Sequence, residues 1–208
     1  VDIEQRLSYP FEFIEADAID VLRDRDFLDQ FDVIHASPPC QRYSASASAT
    51  GRGAEHPDLV PAVRELLRAW GGPYLIENVP GAPMDHPVLI CGWAMGLRHI
   101  KRHRLFESNL PLMSPGCLCP VGDTISVYGH SGEDRRKSIG ETRHHIRSSE
   151  VRRLMGVPWI ASRHEISEAI PPAYTAYLGE QVLDQLSLRA LVTSPPGRIT
   201  TTDIEESA

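Results

Sequence analysis

Cys40 stands at the end of the run Phe31-Asp32-Val33-Ile34-His35 and its continuation Ala36-Ser37-Pro38-Pro39-Cys40-Gln41-Arg42-Tyr43-Ser44. About 37 residues on, a second apolar run, Pro73-Tyr74-Leu75-Ile76-Glu77-Asn78-Val79-Pro80, ends in a carboxylate and an amide. A third stretch, Lys101-Arg102-His103-Arg104-Leu105-Phe106, offers two guanidinium groups at alternate positions. A thiol is a nucleophile only as the thiolate, and cationic neighbours lower its pKa. A glutamate can bind or protonate a polar heterocycle while charge develops on it. Together the three stretches offer a nucleophile, an acid and cations for covalent catalysis. An isolated Pro-Cys would more often be a small buried side chain.

The elements needed to bring these groups together are readable. Val33 and Ile34 suit a buried strand, and Pro38 and Pro39 must end it because proline cannot donate to a ladder. Cys40 therefore sits on a stiff turn at a strand's carboxyl end, where open α/β sheets place their chemistry. Leu59, Val63, Leu66, Leu67 and Trp70 recur at helical spacing after Asp58, a good N-cap, with Arg64, Glu65 and Arg68 facing out and Gly71-Gly72 as the stop. That helix is the crossover that makes the Cys40 and Glu77 strands parallel neighbours. Alternation places Arg102 and Arg104 on one face of a third strand. Upstream, Phe11 to Glu15 reads as a strand and Ala18 to about Asp29 as an acidic helix. The polar segment 45–56 has no core-forming residues.

In order, Pro39-Cys40-Gln41, Glu77-Asn78-Val79 and Arg102-His103-Arg104 resemble the motifs of the DNA (cytosine-5)-methyltransferase family. Glu150-Val151-Arg152-Arg153-Leu154-Met155-Gly156-Val157-Pro158 resembles its segment before the last helix, and Val1-Asp2-Ile3-Glu4 and Glu15-Ala16-Asp17-Ala18 resemble two cofactor-contacting motifs. The resemblance covers about residues 1–186. It implies an α/β fold with a Rossmann-like S-adenosylmethionine-dependent methyltransferase sheet and a small irregular target-recognition region. It implies catalytic roles for Cys40, Gln41, Glu77, Asn78, Arg102 and Arg104, with Arg104 on the cytosine O2 and Glu77 on N3 and the exocyclic amine. S-adenosylmethionine is implied as cofactor, contacted by Asp2, Ile3, Asp17, Ala18 and Pro39. Without the family, Asp2 and Asp17 read equally as turn or cap residues.

The sequence departs from that family in lacking a first strand and a glycine-rich loop ahead of Val1, so the expectation is a truncated or degenerate copy with impaired transfer. The expected organisation is a catalytic core at 1–106, a short target-recognition region at 107–143, a return to the core at 144–187 and a disordered polar tail at 188–208. Ile170-Pro171-Pro172-Ala173 stands where the family has Gly-Asn-Ser, so no cofactor contact is assigned there. An inactive DNA-binding remnant and a methylase of RNA cytosine are the other readings, beside an ordinary α/β domain with Cys40 in its core.

At 208 residues and 41% hydrophobic content the chain can bury a core. It has no apolar run of membrane-spanning length and no signal-peptide arrangement, so a cytoplasmic location is expected. Four cysteines in a chain of this length do not make a disulfide framework. Net charge is −7, yet residues 98–153 hold eleven Lys or Arg against six Asp or Glu. An acidic body with one basic segment suits a monomer that meets double-stranded DNA with one face. Cys117-x-Cys119 with His130, His144 and His145 nearby invites a zinc reading, but that spacing matches no common closed site, so no metal ligand is assigned. Cys91, Trp93 and Met95 read as core.

Overall fold

The computed structural model describes residues 1–44, 47, 51–98, 100–120, 125–127 and 148–193. Strands β1 (Ile34–Ala36), β2 (Tyr74–Asn78), β3 (Val88–Cys91) and β5 (His103–Ser108) form a mixed sheet in the order β1-β2-β5-β3. A smaller parallel pair joins β4 (Ile100–Lys101) to β6 (Ile125–Ser126). β1 and β2 are parallel, with Ile34 opposite Tyr74 and Ala36 opposite Ile76. The connection between them is helix α3 (Val60–Trp70), as the crossover argument requires. Gly71 ends that helix at φ 82°, a left-handed conformation that costs glycine little. β5 runs antiparallel to both β2 and β3.

Alternation along β2 divides the core into two layers. Tyr74 and Ile76 pack with Val63, Leu67 and Trp70 of α3 and with Leu22 and Leu28. Leu75 faces the other way, into a cluster with Ile90, Phe106, Met155, Ile166, Tyr174, Leu178 and Val182. The second layer comes from α4 (Ser148–Met155), α5 (Arg163–Glu168) and α6 (Pro172–Thr193). Helices therefore cover both faces of the sheet. This is why all five residues of β2 are buried.

Four expectations need correction. Residues 11–15 form no strand; Asp2 and Glu15 make a single parallel bridge. The acidic helix is two short ones, α1 (Ala18–Val21) and α2 (Arg25–Leu28), because Asp24 takes extended backbone between them and its carboxylate caps α2 by accepting from the Phe27 N–H. Asp58 is not the cap of α3; it accepts a hydrogen bond from the Tyr43 hydroxyl, and Leu59 occupies the cap position with no side-chain bond. Helix α6 continues through Thr193, so residues 188–193, expected in the tail, are helical. His130, His144, His145 and most of the expected target-recognition region lie outside the described residues.

Candidate active site

Cys40 follows β1 by way of Ser37, Pro38 and Pro39 and leads into the 3-10 turn Gln41–Tyr43. The turn is closed by the Tyr43 N–H donating to the Cys40 carbonyl at 3.0 Å. Asn78, the last residue of β2, is fully buried. Its Nδ2 donates to the Pro38 carbonyl at 3.0 Å, and its Oδ1 accepts from the Val79 N–H at 2.9 Å. The end of β2 thus holds the proline loop that presents the thiol. Gln41 is exposed on the same turn.

Glu77 sits directly opposite Phe106 in the β2–β5 ladder. Arg104 lies two residues before Phe106 on the same face, a diagonal separation that a long side chain spans. The ion pair closes at 2.7 Å from Arg104 Nε to Glu77 Oε1, with both side chains buried. Burial drives the Glu77 pKa up, opposed by the charges of Arg104 and Arg102 and by hydrogen bonds from Ser37 and Arg104; the net shift is upward. Cys40 is half-buried, and burial likewise raises its thiol pKa, against the lowering effect of Arg104 and with a further rise from Glu77. Both charges act on the thiol, so the three groups form one electrostatic unit.

Arg102 is placed differently from its neighbour two residues on. It is fully buried, and its guanidinium donates to the carbonyls of Val127 and Ser167, both at 3.0 Å, and of Ala169 at 2.5 Å. Its own carbonyl accepts from the Tyr174 hydroxyl at 2.6 Å. The role expected of Arg102 in lowering the Cys40 pKa is not what this geometry provides; only its charge reaches Glu77. Of the basic residues counted in 98–153, Arg102 and Arg104 are therefore spent inside the fold. Arg98 and Arg153 are exposed.

The Asp2 and Asp17 segments meet at the edge of the fold, where the Ala16 N–H donates to the Asp2 carbonyl at 3.1 Å. Asp2 accepts from the Glu4 N–H at 3.0 Å and from Arg6 Nε at 3.2 Å. Asp17 caps α1, its Oδ1 accepting from the Ile19 N–H at 2.7 Å. Ile3, next to Asp2, is 69% exposed, and Ala18, next to Asp17, is also exposed, so the paired segments present an apolar side chain and two carboxylates. Pro39 is exposed in the Cys40 loop. Away from both places, Cys91, His103, Cys117 and Cys119 converge. Sequence spacing could not join them, because they come from two strands and a loop.

The electrostatics of the thiol make a prediction with a definite sign. Alkylation of Cys40, followed by peptide mass spectrometry, is expected to accelerate with pH around a midpoint above the ordinary thiol value of 9.0. Glu77→Gln removes an anion and should move the midpoint down; a midpoint unchanged in that variant would contradict the coupling.

Residues 6–85 match the model of the family described as C-5 cytosine-specific DNA methylase. That stretch includes β1, Cys40, α3, β2 and Glu77, whereas Arg104 lies beyond it. No curated protein matches the chain.

Proposed function

We propose that this chain, in which residues 6–85 match the C-5 cytosine-specific DNA methylases, transfers a methyl group to C5 of cytosine in DNA through a covalent adduct between Cys40 and C6. The observation that carries this reading is the convergence of a thiol, a buried carboxyl and a buried guanidinium at the ends of β1 and β2. The sheet is then part of a Rossmann-like methyltransferase core, and residues 107–143 serve target recognition.

C5 of cytosine is too weak a nucleophile to attack an activated methyl group unaided. Addition of the Cys40 thiolate to C6 converts the ring to an enamine and places electron density on C5. Glu77 suits the partner role at N3, because burial raises its pKa and so favours a carboxyl that can share a proton with the base. Arg104 holds Glu77 in place and offers a donor for the cytosine O2. Asp2, Ile3, Asp17, Ala18 and Pro39 would hold S-adenosylmethionine, which would supply the methyl group. The exposed Ile3 beside two carboxylates fits an adenosine, with an apolar face for the ring and acceptors for hydroxyl and amino groups. Loss of the C5 proton and elimination of Cys40 then restore the ring. The target base must leave the stack to reach a loop thiol, which costs a few kcal/mol.

The resting thiol is held protonated by burial and by Glu77. Activation therefore belongs to the complex, in which cytosine takes up the Glu77 carboxyl and Arg104 is left to favour the thiolate.

The test is covalent trapping. The chain is incubated with S-adenosylmethionine and duplex DNA carrying 5-fluorocytosine, whose C5 fluorine cannot leave as a proton does, so the adduct accumulates. Mass spectrometry is expected to find DNA on the Cys40 peptide. DNA binding without an adduct would favour an inactive remnant, and an adduct only with RNA would change the substrate class.

A further inference from the structure

We propose that Cys91, His103, Cys117 and Cys119 form a closed, four-coordinate zinc site that fastens the loop after β5 to the sheet. Cys91 ends β3 and His103 opens β5, and the two are direct partners in the antiparallel register. Cross-strand partners of this kind bring their Cβ atoms to within about 5.5 Å. The other two ligands arrive from the loop 111–120, which several bonds fold back onto the sheet and α6. Ser114 Oγ donates to the Leu89 carbonyl at 2.6 Å, and the Met113 N–H donates to Gln181 Oε1 at 2.7 Å. Gly116, at φ 76°, makes the reversal just before Cys117.

The four ligand atoms lie within 4.8 Å of one another. His103 Nε2 is 3.4 Å from both Cys117 Sγ and Cys119 Sγ, and Cys119 Sγ is 3.4 Å from Cys91 Sγ. A tetrahedral zinc with ordinary Zn–S and Zn–N bonds requires edges of about 3.8 Å between sulfurs and about 3.6 Å between sulfur and nitrogen. These three separations are within a few tenths of an ångström of those edges, and the remaining pairs lie within 4.8 Å. Three thiolates and one imidazole favour zinc over the hard cations, and four protein ligands leave no open position for chemistry. Each thiol releases its proton to solvent as it ligates.

The site has a bearing on β5. By strand alternation His103 and Arg104 point to opposite faces, so the metal grips the strand from the side away from the Glu77 pair. It also fixes the loop 111–120, which lies within the region expected to serve target recognition. The proposal stands on the cluster alone and does not depend on methyl transfer.

The full chain, purified under reducing conditions and freed of loose metal, is expected to carry about one zinc per molecule by elemental mass spectrometry. Exchange for cobalt should give the visible bands of a tetrahedral ion with thiolate charge transfer. Cys117→Ser, at the exposed ligand, should weaken zinc at least about tenfold in competition with a chelator while leaving the far-ultraviolet circular dichroism unchanged. A chain that takes up less than about a tenth of an equivalent of either metal would overturn the proposal. So would an octahedral cobalt spectrum, or a Cys91–Cys119 disulfide found in place of the metal.

Discussion

Serine in place of Cys40 is expected to lower methyl transfer by at least about a thousandfold, because a hydroxyl is far harder to ionise than a thiol and is a much weaker nucleophile. The fold should not notice. Cys40 is half-buried in a loop held by main-chain and Asn78 contacts that do not involve the sulfur, and serine is nearly isosteric. The measurement is single-turnover transfer of labelled methyl groups to cytosine in duplex DNA, with thermal unfolding as the control. A Cys40→Ser variant within about tenfold of the parent would remove the covalent step from the mechanism. Retention of DNA affinity in the same variant would show that the loss is chemical.

The second large effect lies away from the chemistry. Glu107 is 1% exposed and accepts two bonds from Arg64, at 2.6 Å to Nε and 2.7 Å to a terminal nitrogen, with a third from the Asp85 N–H at 2.8 Å. The bidentate pair joins α3 to β5, and Arg64 also donates to the Pro83 carbonyl at 2.6 Å. Arg64→Ala would leave the buried carboxylate with the Asp85 N–H and with Arg68, 3.9 Å away and half-exposed. The expected cost is about 3–5 kcal/mol, the range for breaking one side of a buried pair. For a chain of this size that lowers the melting temperature by roughly 10 °C. Adding Glu107→Gln to Arg64→Ala should recover part of the loss, since the stranded charge is gone. Equal stabilities for Arg64→Ala and the parent would show the pair to be energetically idle.

These two effects differ in how far the sequence announces them. Cys40 and Glu77 are legible because each ends an apolar run at a proline-rich stop, and the helix between the runs admits one arrangement, parallel strands with both ends at one edge. That inference uses strand propensity, proline's missing donor and the handedness of crossovers, all local or topological. Arg64 was legible only as a polar position on a helix, which predicts an outward side chain. Its partner is 43 residues away, and no periodicity within α3 encodes that a glutamate of β5 will be buried beneath it. The loss of the helix predicted over 18–29 is a smaller case: Asp24 competes for a cap with its own carboxylate, and a residue that can serve either state is decided by its surroundings.

Arg102 and Arg104 show the same limit. Alternation places them together, yet only Arg104 lies within β5 and reaches Glu77, while Arg102 stands between β4 and β5 and satisfies carbonyls of Val127, after β6, and of Ser167 in the helical layer. The metal cluster required still more. Cys117 and Cys119 were visible as a pair, but His103, which meets them, comes from a strand start, and the third thiol lies in apolar sequence that reads as core. By itself, then, the sequence determined which residues stand at strand ends and which family's motifs they resemble, because those depend on nearest neighbours and chain direction. The tertiary structure alone decided which charges are buried against each other and which sulfurs meet, because both depend on strand register and layer packing between residues that no local pattern links.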